Sequence, residues 1–130
     1  MPVAYERDDF RRLNTVTVTE PYSVDELLGS IDRQAREDTW EYAIFYDFRA
    51  AVNYPTGSDL RQLADHVKAI GGGRKRGPLG GAVGPRSELY QIGQQYAKLT
   101  KTEMDVEVLL TPTQIEDWLK RNTRSAGSSE

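Results

Sequence analysis

Tyr42-Ala43-Ile44-Phe45-Tyr46 is an uninterrupted apolar run of aromatic and β-branched residues with no polar position at helical spacing. Such a run cannot keep one face in water, so it reads as a strand covered on both sides, the central strand of a sheet. The segments that would cover it are amphipathic. Ser23-Val24-Asp25-Glu26 is a helix start in which the Ser23 hydroxyl accepts from the Glu26 amide while the Glu26 side chain reaches back. Behind it, Val24, Leu27, Leu28, Ile31 and Ala35 form one apolar face, with Tyr22 placed to staple onto Leu27 and Asp32, Arg33, Arg36 and Glu37 in water. A second helix carries Leu60, Leu63, Ala64, Val67 and Ile70 in stripe and is stopped by Gly71 to Gly73.

The remaining elements follow from the same periodicities. Val3 to Arg7, a polar turn at Asp8-Asp9, and Arg11 to Thr19 with its β-branched Thr15 to Thr19 read as a hairpin, with Val16 and Val18 facing the core. Leu79 to Gly84 is a short strand whose glycines permit close packing. A third helix starts near Pro85-Arg86-Ser87 and shows Leu89, Ile92, Gly93 and Tyr96 on one face, Gly93 marking a tight contact with the sheet. Met104 to Leu110 alternates as a strand with one wetter face, near an edge. Thr111 as N-cap, Pro112 at the first helical position and Gln114 closing a capping box open a last helix that docks through Ile115, Trp118 and Leu119. The order β-β-α-β-α-β-α-β-α predicts an α/β fold with a mixed, mostly parallel five-stranded sheet and flanking helices. Residues 1–122 make one domain, and 123–130, without apolar periodicity, read as a disordered tail.

Composition excludes several function classes. With 130 residues the chain suits a single domain that builds a core unaided. It has no cysteine, hence no disulfide, thiolate metal site or cysteine nucleophile, and a reducing cytoplasm is its expected location. Its net charge of −3, with acids and bases interspersed, gives no basic footprint for nucleic acid. No run reaches the ~20 apolar residues of a membrane span. The lone histidine, His66, lies off the apolar stripe of its helix and has no cluster of metal ligands around it in sequence, so neither metal nor cofactor is expected.

Open α/β sheets gather ligands and partners where strands end and helices begin. Three such places stand out. Asp47 and Arg49 end the central strand close to Thr56, Ser58 and Asp59 at the next helix start, where free amides and the helix dipole favour an anion. The plainer reading is capping by Thr56 or Ser58, with Asp47 pairing to Arg49 or a loop amide. Gly71 to Pro78 carries Arg74, Lys75 and Arg76; it follows a helix, unlike a phosphate loop, and reads as a connection with three solvated charges. Arg86, at a strand-to-helix junction, is suited to a carboxylate or phosphate, but an arginine so placed is more often an ordinary surface residue. No arrangement assigns a nucleophile, a base and an oxyanion donor, so a non-enzyme is expected, with a carboxylate enzyme using Asp47 and Asp59 as the lesser alternative.

With this element order, the hairpin ending Thr15-Val16-Thr17-Val18-Thr19, the strand end Asp47-Phe48-Arg49, the helix from Ser58 to Ala64 and Leu89 to Gly93, the chain resembles the small bacterial SpoIIAA-like, or STAS/SEC14-like, proteins over residues 3 to 121. The resemblance implies the anti-sigma-factor-antagonist fold and a role in protein-protein regulation, through a protein partner or a homodimer. A binder of a small acidic or lipid-like ligand in the strand-end cleft, meeting Arg49 or Arg86, is the alternative. In sigma-regulatory members a serine at the start of the second helix, within an Asp-Ser-Ser-Gly-Leu-like stretch, is phosphorylated. Thr56-Gly57-Ser58-Asp59-Leu60 holds that place here, with the acidic residue after the serine instead of before it, so the resemblance implies Ser58, and next Thr56, as the switch.

Overall fold

The computed structural model describes residues 3–84 and 87–123; Arg86 and the tail from 124 lie outside the described residues. Nine elements run in the order β1 (Val3–Asp8), β2 (Leu13–Val18), α1 (Val24–Arg36), β3 (Ala43–Asp47), α2 (Gly57–Gly71), β4 (Leu79–Ala82), α3 (Ser87–Leu99), β5 (Val106–Leu109) and α4 (Pro112–Asn122). They form one five-stranded sheet in sequence order, β1-β2-β3-β4-β5. β1 and β2 are antiparallel, and every later neighbour is parallel. The apolar run thus supplies the middle strand, and Val106–Leu109 lies at an edge.

Strand alternation divides the core into two layers. Val16, Val18, Ile44, Tyr46 and Leu79 face α1 and α2, together with Leu27, Ile31, Leu63 and Val67. Leu13, Ala43, Phe45, Ala82 and Leu109 face the other way, onto Trp118, Ile115 and Leu119 of α4. Helices α1, α2 and α3 pack in series, as crossovers of one hand over a sheet in sequence order require, and α4 covers the second face alone. Gly80 of β4 makes that second contact possible, since a Cβ there would stand 2.7 Å from the Trp118 ring. Gly93 does the same for α3, where an added Cβ would meet Val108 Cγ2 at 2.6 Å.

Local sequence sets the helix starts. Ser23 with Glu26, Thr56 with Asp59 and Thr111 with Gln114 each form a reciprocal capping box, which satisfies two orphan N–H groups at once. α2 ends on Gly72 in the left-handed region, at φ 56°, where a side chain would be strained.

One expectation is overturned in the connection from α2 to β4. Arg74 and Lys75 are exposed as a solvated loop demands, but Arg76 is only 2% exposed. The chain turns inward there because the Arg76 amide donates to Glu103 O at 2.8 Å and the Gly77 amide to Trp40 O at 2.9 Å. Gly77 is required at this crossing, since a Cβ would collide with the Tyr42 carbonyl. The guanidinium is thereby drawn into the core. Among the described residues no helix is long and apolar enough to cross a membrane.

Candidate functional site

At the carboxyl end of β3, Asp47 and Arg49 form a closed pair. Arg49 donates through Nε to Asp47 Oδ1 and through Nη2 to Oδ2, both at 2.9 Å, and its amide donates to Oδ1 at 3.0 Å. The Arg49 side chain holds the Asp47 carboxyl below the usual carboxylate range, against the opposing effect of its partial burial. A bidentate pair of this kind leaves neither group poised as a free base or free cation.

The loop that follows is fastened from below. Glu20 Oε2 accepts from the amides of Val52 and Asn53, each at 2.7 Å, and Tyr22 Oη donates to Asn53 O at 2.9 Å. Ala51 is fully buried, and Phe48 stacks on Tyr46 with ring centroids 6.2 Å apart. Above these anchors Val52 is 69% and Tyr54 44% exposed. The loop leads into α2 through Thr56, whose hydroxyl accepts from the Asp59 amide at 3.1 Å while Asp59 Oδ2 accepts from the Thr56 amide at 3.0 Å. Thr56 and Asp59 are therefore both engaged in the cap. Ser58, one residue inside the helix, is exposed, and among the described residues its hydroxyl makes no hydrogen bond.

Beneath the loop, between α1, α2, α3 and the sheet, lies a cavity of about 90 Å³ with an almost wholly carbon wall. Leu27 and Ile31 of α1, Leu60 and Leu63 of α2 and Leu89 and Ile92 of α3 form its roof and sides, with Phe48 and Pro55 at the strand-end loop. Its floor is β4, where Gly81 presents no side chain and an added Cβ would find nothing within 4 Å. Glu107 also lines the cavity, but its carboxylate pairs with Arg121 of α4 at 3.1 Å on the opposite face of the sheet. Arg49 is not among the lining residues.

Tyr46 and Tyr96 close the inner end of the cavity against Arg76. The hydrogen-bond directions there follow from donor chemistry. A guanidinium only donates, so Arg76 Nη2 gives to Tyr46 Oη at 3.4 Å and Nε to Gln34 Oε1 at 2.6 Å. Ser30 Oγ gives its hydrogen to Leu27 O at 2.6 Å, which leaves the Tyr46 hydroxyl as donor to Ser30 Oγ at 2.7 Å. Gln34, its oxygen fixed by Arg76, turns its nitrogen to Thr39 O at 3.0 Å. The Arg76 guanidinium also lies 5.3 Å from the Trp40 ring centroid and 3.7 Å from Met104 Sδ. Among the described residues no carboxylate pairs with it; its charge is held by neutral dipoles, sulfur and an aromatic face.

Asp47, Arg49, Thr56, Ser58 and Asp59 thus gather at one end of the sheet, as their sequence order implies, while Arg86 lies outside the described residues. His66, whose place off the apolar stripe implies an exposed or boundary position, is half-buried and sits 2.7 Å from Asp32 Oδ1, linking α2 to α1. Among the described residues no three or more His, Asp and Glu side chains assemble as a cation site. Sequence reasoning missed Arg76 and the cavity. A hint of the cavity lay in Gly80-Gly81, where two adjacent glycines must face opposite sides of a strand and α4 can fill only one of the gaps. Compared with known protein families, curated proteins and solved structures, the chain shows no match.

Proposed function

We propose that this chain is a non-enzymatic interaction module of STAS-like fold that binds a protein partner through the loop 48–56 and the start of α2. The fold half of this reading is supported by an antiparallel hairpin followed by parallel strands in sequence order, each new strand reached through a helix. The observation that carries the contact surface is the pair Val52 and Tyr54, exposed within three residues of each other on a loop fastened by Glu20 and Tyr22. Single exposed apolar residues are ordinary, but two on a loop already ordered lose little further entropy when a partner covers them. The engagement of Asp47 by Arg49 and of Asp59 in the cap supports binding over catalysis.

Ser58 fits the switch in this reading better than Thr56. Phosphate on Thr56 would break the capping box, whereas phosphate on Ser58 would add about −1.5 to −2 charges beside the contact loop and leave the cap intact. The test places a photo-crosslinking phenylalanine analogue at Tyr54 and, separately, at Phe10, which is 59% exposed at the β1–β2 turn on the other end of the sheet. In its own cells the Tyr54 probe should give a discrete heteromeric adduct that Ser58→Asp weakens and the Phe10 probe does not form. Equal adducts from the two positions, or none from Tyr54, would remove the basis of the reading.

A further inference from the structure

We infer that the cavity beneath α1, α2 and α3 is a binding site for a compact neutral hydrocarbon group, a small aromatic ring or a branched alkyl end. The argument begins with the two glycines of β4. Gly80 is spent on close packing, because Trp118 occupies the space its side chain would take. Gly81, its neighbour on the opposite face, is spent on nothing in the protein itself: an alanine methyl would fit without contact. The fold leaves that space empty although Leu79, two residues before it, and Val83, just past the strand, carry buried side chains.

The lining sets the ligand class. A wall of Leu and Ile side chains with the faces of Tyr46, Phe48 and Tyr96 offers dispersion contacts and almost no polar atom to hold water in place. Of the two tyrosine hydroxyls at its inner end, that of Tyr46 is already both donor and acceptor and that of Tyr96 is engaged by Arg76. Glu107 turns its carboxylate to the far face, so no lining side chain offers a charge to an ionic ligand. A volume of about 90 Å³ is smaller than the roughly 150 Å³ of an engineered cavity that takes up benzene, so a ring fits only if the lining side chains yield slightly, and a branched alkyl end fits with less. This site is independent of the partner-binding reading, since it rests on the interior and not on Val52 or Tyr54.

The test is a titration of the full chain, labelled at Ile, Leu and Val methyls, with benzene and with benzoate as its charged counterpart. Benzene should give saturable shifts centred on Ile31, Leu63, Leu89 and Ile92 and raise the melting temperature, while benzoate at equal concentration leaves those methyls unmoved. Gly81→Val should lower benzene affinity by at least about tenfold without loss of folding. Leu63→Phe, which fills the same space from α2, serves if that variant does not fold. Shifts that fail to saturate, that fall elsewhere, that persist undiminished in the filled variant, or that benzoate reproduces, would each overturn the assignment.

Discussion

Arg76 is the residue on which the interior depends most. Its side chain joins the connection before β4 to Gln34 of α1 and Tyr46 of β3, and it does so without an acidic partner among the described residues. A buried cation is tolerated only where every donor finds an acceptor or a polarisable surface. Removing it leaves Gln34 Oε1 buried without a donor and opens a cavity beside Trp40. Arg76→Ala should therefore cost at least about 3 kcal/mol in urea unfolding. Arg76→Met, which keeps the volume and lies against Met104 and Trp40, should cost distinctly less. Equal losses would mean that the charge and the hydrogen bonds of the guanidinium, which both variants lack, and not its packing, carry the contribution. Sequence could not reveal this residue, because Arg74-Lys75-Arg76 between a glycine run and Gly77-Pro78 has the composition of a solvated loop. The closure of the Arg76 amide onto the Glu103 carbonyl and of the Gly77 amide onto the Trp40 carbonyl turns the third charge inward.

At the scale of elements, β4 yields a prediction from two adjacent positions. Gly80→Ala must push against the Trp118 ring at 2.7 Å, whereas Gly81→Ala puts a methyl into open space. Overpacking typically costs about 1–3 kcal/mol. Filling a void and restraining a strand glycine should instead stabilise, by roughly 0.5–1 kcal/mol. Thermal melts of the two variants should move in opposite directions, and a loss of stability in Gly81→Ala would show that the floor of the cavity is not open. Most elements were legible because their signals are local: capping boxes at Ser23 and Thr111, apolar stripes from Leu27 and Leu60, alternation in β5, and Gly93 at a close helix contact. The strand-end gathering of Asp47, Arg49, Thr56, Ser58 and Asp59 was legible for the same reason. The cavity was not, because empty space depends on what three separate helices fail to fill. Nor was the placement of α4 alone on the second face, which depends on which layer its stripe of Ile115, Trp118 and Leu119 meets.

For the molecule as a whole, two tyrosine hydroxyls packed against the layer under α1 and α2 and one carboxylate at the sheet end set how stability responds to pH. Burial holds the hydroxyl of Tyr5 protonated up to about 12 against an ordinary value of 10.0, and raises that of Tyr96 as well, although the nearby Arg76 charge works the other way. The unfolded chain therefore releases these protons first as pH rises. The contribution of Tyr5 is fully present below pH 10.0 and is lost as pH climbs from there through about 12, and that of Tyr96 is lost in the same direction. The opposite limb belongs to Asp47, whose pKa the Arg49 pair depresses below 3.8; its contribution is present above that value and lost as pH falls through the lowered one. Because Asp47 is bonded at the sheet end and Tyr5 and Tyr96 sit under α1 and against Arg76, the acid and alkaline limbs report different regions of one cooperative fold. Urea unfolding across pH should show a plateau with both limbs. Tyr5→Phe should flatten the alkaline limb and leave the acid limb unchanged, whereas Asp47→Asn should flatten the acid limb alone. An alkaline limb unaltered by Tyr5→Phe would mean that the hydroxyl of β1 is not held in the core.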